Sequence, residues 1–500
     1  MDVNIIGGAS AHLAGGEHSA RSGYQDSDMR IPRVFESDEL PASRDVLAQL
    51  RKGTDNADLA TNPVVLPDFH HKRKLEMPSS IAVATRGTIR PTLTSGSVNC
   101  GMALIALDTD LQPGAKPDAS AIEAFYRGMK ERYPYPTGNR RDITYKECLR
   151  VAAEGADFAQ ERWGVDDGDL ERIEEHGRID IEQYGGIKAL QKTVPGLAFQ
   201  LARLRFGTVG PSNHFVELQM VEEIYDPIAA EKLGVKQGQV VINFHAGGGV
   251  LTGEIGRMFG RRKDYPKHLK MAESVIKPWT HLAKAKSPAQ LAERWRLYFA
   301  GECPPVDVNS VEGKRMMLAN AAAMNYGFAF RMATYGALRE LAVDAFGGSK
   351  GKLIVDSPHN SVYEEDVNGE KAVVHRHNSC RAFGADRMRP GTTFAETGQA
   401  VLIPGTNKTS SYLCVAGEQA ADSLHSACHG AGTVIKDFAE NGKSGIHPDR
   451  HTTLRFRYND SAPEPVEHYD DNGVDAALGI LSTHKLVAPV ARMRPFAVLH

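Results

Sequence analysis

The sequence predicts an α+β fold, with central β-sheets and helices packed outside them. Short apolar runs rich in Val and Ile, separate segments with apolar residues at helical spacing, and the absence of any solenoid-period repeat support this reading together. The strand-like runs are "SIAVAT" (80–85), "GMALIAL" (101–107), "QVVINFHA" (239–246), "KLIVDS" (352–357), "KAVVHRH" (371–377), "QAVLIPG" (399–405) and "SYLCVAG" (411–417). Several of them stop at a His or a Gly, which is how a sheet presents polar, metal-capable groups at its rim. Helices are predicted at 118–133, behind a capping Asp118, and at 287–299, where Ser287 caps and Pro288 opens the first turn. The Ala-rich run 314–346 has almost no breakers and predicts a long central helix packed on all sides.

Five hundred residues exceed what one core usually fills, so several domains or one insertion-rich domain is expected. Residues 1–60 read as a partly flexible N-terminal extension, because their opening stretch is rich in Gly, Ala, Ser and His. Residues 61–500 read as the main domain. A net charge of −3 gives no global attraction to polyanions, so an RNA or DNA partner would need a local patch. The basic runs "HHKRK" (70–74) and "GRRKDYPKHLK" (260–270) are such patches, or plain solvated loops. Six scattered cysteines without a CxxC pair argue for a reducing compartment. With no basic-then-apolar leader and no bilayer-length apolar stretch, a cytoplasmic chain without membrane contact is expected.

Four histidines and one cysteine stand in suggestive contexts: "SVNCG" (Cys100), "SNHFVE" (His214), "NFHAGGG" (His245), "DSPHN" (His359) and "CHGAG" (His429). Imidazole and thiolate together suit a borderline-soft divalent ion, and one thiolate can bridge two of them. Among 19 histidines, surface or satisfied core positions remain an alternative for each. In "HGAG", Gly430, Ala431 and Gly432 let backbone amides approach a phosphate, with an imidazole nucleophile at the edge; a tight turn after a helix is the other reading.

Taken in order, the strings "SVNCG", "GTVGPSNHFVE", "HAGGG", "DSPHN", "HRHNSCRAF", "IPGTNKTSSY" and "HGAGT" resemble the RtcB family of RNA-splicing ligases. That family typically carries D-x-N-C-G, G-x-x-x-x-N-H-F-x-E, H-x-G-S-R-G, D-x-x-H-N, H-R-K-G-x-T-R-A-F, I-P-G-S-M-G-T-x-S-Y and H-G-A-G-R. The resemblance runs from about residue 64 to the C-terminus, so it makes 61–500 an RtcB-like catalytic domain whose sheets form a metal and nucleotide cleft. It implies two manganese ions and GTP. Cys100 would bridge the metals, His214 would complete one site, and His245 with His359 would complete the other. His429 would be the catalytic nucleophile, forming a guanylyl-histidine before RNA 3′-phosphate or 2′,3′-cyclic phosphate ends are joined to 5′-hydroxyl ends. The nucleotide would lie against Asn213, His214, Phe215, Val216 and Glu217, then His359 and Asn360. Pro404, Gly405, Thr406, Asn407 and Ser411 would form a second loop, and His429, Gly430, Ala431 and Gly432 a third. Partners implied are RNA ends, from tRNA or other broken RNA, and an archease-like activator.

The departures are specific. Ser97 replaces the family's first-metal aspartate, which weakens one manganese site. Gly249 and Thr433 stand where arginines would hold phosphates, His377 where a lysine would, and "PFAVLH" where the family closes on Lys-Gly. Lys408, in the nucleotide loop, is a candidate replacement charge. A metal-dependent phosphohydrolase or a non-ligating RNA-end binder on the same scaffold is the competing expectation.

Overall fold

The computed structural model describes residues 29–500 apart from 56, 73–75, 111–117, 134–141, 205, 210–213, 261–266, 301–303, 349 and 461. A nine-stranded sheet forms the centre, and its strands follow closely from the Val/Ile runs. Along the sheet the order is Ala400–Ile403, Ser411–Ala416, Val487–Leu499, Phe215–Ile224, Gln239–Ala246, Gly101–Asp110 and Lys352–Pro358, each antiparallel to its neighbour. Thr452–Phe456 and Glu464–Glu467 complete it. Every residue of Gln239–Ala246 is buried, as expected for a strand covered on both faces.

The helix Val311–Phe346 covers one face of the sheet and extends for 36 residues. Ser310 caps its start by accepting from the Gly313 amide, and Gly347, at φ 72°, ends it. It is buried on nearly all sides because helices Ala119–Arg132, Tyr145–Glu154, Ala156–Trp163 and Gly249–Phe259 pack around it. Small residues at its contacts allow the close approach.

A second sheet has the order Arg33–Val34, Val64–Val65, Ile81–Thr85, Glu370–His377, Asn360–Val367. Helices Gly432–Glu440 and Asn472–Thr483 pack on each other and share an apolar core with this sheet through Val64, Ala82 and Val374. Residues 29–60 join the packing, since Phe35 and Leu50 are buried. The seam between the two sheets is where Pro358 ends one strand and Asn360 starts the next. No helix among the described residues is long and apolar enough to cross a membrane.

Candidate active site

Four separate stretches of chain deliver donors to one rim of the large sheet. Cys100 immediately precedes the strand starting at Gly101, and His245 lies opposite both Met102 and Phe215 in the ladders. His214 is the residue before Phe215, and His359 follows Pro358, which pairs with Gly101. The Cys100 sulfur lies 3.2 Å from His245 Nε2 and 3.7 Å from His214 Nε2. His245 Nε2 and His359 Nε2 face each other at 3.0 Å. These separations match neighbouring vertices around an ion about 2.1–2.3 Å from each donor. The donor chemistry therefore fits a divalent cation, and His359 Nδ1, buried without a hydrogen-bond partner, leaves that ring uncommitted elsewhere. Among the described residues no carboxylate joins the Cys100, His245 and His359 cluster.

The turn that carries Cys100 is held from below. Asn99 sits at φ 57° and donates through Nδ2 to the Met324 carbonyl at 2.5 Å. Arg331, fully buried in the central helix, donates to the Asn99 carbonyl at 2.5 Å and to Asn99 Oδ1 at 2.7 Å. The same guanidinium pairs with Asp356 through bonds of 2.6 and 2.7 Å. Such a bidentate fork fixes orientation as well as charge. Glycine at 247 matters here, because a Cβ would come within 2.9 Å of His214 Nε2.

His429 follows the short strand Ser426–Cys428, which pairs with Ser379–Arg381. Its ring centroid lies 4.2 Å from that of His359 and 6.4 Å from that of His245. Burial, with the nearby Lys72 charge, pushes its pKa down to about 3, against the pull of the Asn378 carbonyl. The imidazole is therefore neutral near pH 7, with a lone pair available. His429 faces a cavity of about 410 Å³ that Phe215, Glu217, Thr406, Asn407 and Gly430 also line. Opposite Glu217 in the ladder lies Asn243, buried, with neither amide atom hydrogen-bonded. The two side chains share one face of the sheet, and of the pair Glu217 lines the cavity, where its carboxyl can meet a ligand's donors.

Residues 49–500 match the family described as tRNA-splicing ligase RtcB. The chain belongs to the RtcB family. A tRNA-splicing ligase RtcB of Thermococcus kodakarensis is 27% identical over 95% of this chain and 95% of its own. That of Archaeoglobus fulgidus is 28% identical over 94% of each. The Methanopyrus kandleri protein of the same name is 30% identical over 80% of this chain, and the match covers 41% of that longer relative.

The RtcB departures now have physical contexts. Gly249 has φ 66° at the head of helix Gly249–Phe259, and a Cβ there would lie 2.9 Å from the Phe330 ring. An arginine does not fit in this packing. Thr433 donates its amide to Asp68 Oδ1 at 2.9 Å, and its hydroxyl lies 3.2 Å from His70 Nδ1. His377 is buried, and its pKa is pushed down to about 3, mainly by that burial. Ser97 contributes backbone, its carbonyl accepting from the Cys100 amide at 3.1 Å and from Asn360 Nδ2 at 3.3 Å. Lys408, the candidate replacement charge, lies over the Tyr469 ring, 4.7 Å from its centroid, and 3.3 Å from its hydroxyl, and the cavity-lining residues do not include it.

Of the nucleotide-loop residues, Phe215, Glu217, Pro404, Gly405, Thr406, Asn407, Gly430 and Gly432 line the cavity with His429. Val216, Asn360, Ser411 and Ala431 are buried behind it. The Ser411 hydroxyl accepts from the Gly405 amide at 3.1 Å and braces that loop, while Asn360 Oδ1 accepts from the Asn378 amide at 3.0 Å. Asn213 lies outside the described residues. Asp68, His70, Lys72, Met102, Val498 and His500 also line the cavity; the sequence marked His70 and Lys72 only as part of a basic run, Val498 and His500 only as part of an altered ending, Met102 only within a strand, and Asp68 not at all. The available signal was "LPDFHHK", a charged string immediately after an apolar strand.

Glu217 gives a testable pH signature. Burial pushes its carboxyl from the usual 4.5 up to about 7, partly opposed by Gln219 Nε2, which donates to it at 2.6 Å. Between about pH 4.5 and 7 the folded chain holds a proton that the unfolded chain has released, so stability falls as pH rises. The full penalty, on the order of 3 kcal/mol, is present above pH 7. Chemical unfolding at pH 5 and pH 8 should show Glu217→Gln gaining on the wild type at the higher pH. A constant difference between the two proteins would refute this.

Proposed function

We propose that this chain is an RNA ligase that joins 3′-phosphate or 2′,3′-cyclic phosphate ends to 5′-hydroxyl ends, using GTP and manganese through a guanylyl-histidine at His429. Membership of the RtcB family and the name shared by its relatives support ligation of RNA. The observation that carries the chemistry is a neutral, buried imidazole, His429, one ring away from a convergent thiol and three further imidazoles.

Cys100 would be shared between two cations, one completed by His214 and the other by His245 with His359. Bound there, divalent metal neutralises phosphate charge and polarises the phosphorus toward attack. Glu217, backed by Gln219, would accept from the N1 and N2 hydrogens of guanine and reject adenine, because a base offering the wrong edge leaves a buried carboxylate unpaired. A ring nitrogen of His429 forms its bond to the α-phosphorus as the bond to the bridging oxygen breaks, and the electron pair leaves with pyrophosphate. A 2′,3′-cyclic end is first opened by water, which breaks the bond from phosphorus to the 2′-oxygen and leaves a 3′-phosphate. An oxygen of the 3′-phosphate then takes the GMP from His429, and the 5′-hydroxyl oxygen, giving up its proton, displaces GMP as the new phosphodiester forms.

The direct test uses two RNA strands, one ending in 3′-phosphate and the other beginning with 5′-hydroxyl, incubated with the protein, manganese and GTP. A joined product that requires GTP is expected. Phosphate release without joining would instead support a phosphohydrolase, and RNA binding without either reaction a non-ligating end-binding protein.

A further inference from the structure

We infer that the Lys72 ammonium forms the polyphosphate subsite of the cavity, taking the place of the arginines that the rest of the family directs at phosphate. The inference rests on the GTP-dependent reading above. Lys72 is the one Lys or Arg that lines the cavity among the described residues. It shares that wall with His429 and with His245 of the donor cluster, so it faces the same space as the nucleophile.

Among the described residues, the four other positions considered for a cation supply none to the cavity. At 249 the left-handed backbone and the Phe330 ring exclude a long side chain. At 433 the hydroxyl and amide are taken by His70 and Asp68, and Lys408 is occupied by Tyr469. His377 is buried and held neutral.

Lys72 is also incompletely compensated. Its pKa is lowered, first by burial, and the nearest acid acting on it is Asp68. That carboxylate has one oxygen accepting from the amides of Thr433 and Val434, at 2.9 and 3.2 Å, and burial pushes its own pKa up to about 7. No carboxylate lies within ion-pair distance of Lys72 among the described residues. A half-buried ammonium without a close counter-ion, facing a cavity, favours an anionic ligand. When His429 attacks the α-phosphorus, negative charge accumulates on departing pyrophosphate, and a fixed cation at the cavity wall stabilises that leaving group.

The test titrates inorganic pyrophosphate calorimetrically into manganese-loaded wild type, Lys72→Ala and Lys72→Arg. Lys72→Ala should weaken pyrophosphate binding roughly ten- to hundred-fold, the usual worth of a hydrogen bond to a charged group. Lys72→Arg should recover most of it. Manganese affinity should stay the same or tighten in Lys72→Ala, because a positive charge near the Cys100 sulfur has been removed. Equal pyrophosphate affinity in wild type and Lys72→Ala would overturn the inference, as would a wild type that binds no pyrophosphate. A joint loss of pyrophosphate and manganese affinity that Lys72→Arg does not repair would also overturn it, since that marks a structural role. The ligase reading is decided separately, by whether wild-type His429 acquires GMP.

Discussion

His429→Ala should abolish covalent labelling by GTP carrying label at the α-phosphorus, while the wild-type chain becomes labelled in the presence of manganese. The expected loss is on the order of 10⁴-fold or more, the scale seen when a covalent nucleophile is removed. The imidazole is already in its reactive, uncharged form, so nothing else in the cavity needs to deprotonate it first. The other rings are poor substitutes, because His245 and His359 face each other at 3.0 Å and His214 faces the Cys100 sulfur at 3.7 Å. Manganese binding should survive the substitution, which separates loss of the nucleophile from loss of the fold. Labelling that persists in His429→Ala would remove the residue from the reaction.

The second large effect lies beneath the site. Arg331→Met should cost about 3–5 kcal/mol in urea unfolding, because it strands the Asp356 carboxylate in a fully buried position. It should also weaken metal binding, since the guanidinium holds both the carbonyl and the side-chain oxygen of Asn99, one residue before Cys100. A double variant, Arg331→Met with Asp356→Leu, separates the two effects. Removing both charges should restore much of the stability, as replacing a whole buried pair by apolar groups commonly does. Metal affinity should remain low, because the Asn99 turn stays unsupported. If the double variant regains full metal affinity, Arg331 does not position Cys100.

Most of the framework was legible because it depends on local pattern. The run 239–246 is a strand at the residues read from its Val and Ile content, and 118–133 and 287–299 are helices that begin after the Asp and Ser caps the sequence showed. The rim histidines were legible for a related reason: each stands inside or next to a strand-like run, where a strand enters or leaves the core. Contacts between distant segments carry no such local mark. Lys72 and His429 are 357 positions apart in the chain, and only the folded chain shows that they share a cavity. Arg331 was not singled out within the run 314–346, although a cation between Phe330 and Met332 in a helix packed on all sides is costly enough to demand a buried partner. Gly249 read as a lost arginine, whereas the backbone there adopts a conformation that suits glycine.

The position of Val487–Leu499 in the large sheet bears on how the molecule is made. This strand runs between Ser411–Ala416 and Phe215–Ile224, so it is an interior member contributed by the last stretch of the sequence. During synthesis, every other strand of that sheet leaves the ribosome before the piece that joins its two portions. Until then both flanking strands expose unpaired amide and carbonyl rows, the kind of edge that recruits foreign chains. Val498 on that same strand also lines the cavity beside His429. Assembly of the sheet and closure of the cavity are therefore one event, and the part of the wall that Val498 supplies is missing until Val487–Leu499 has been made and has paired.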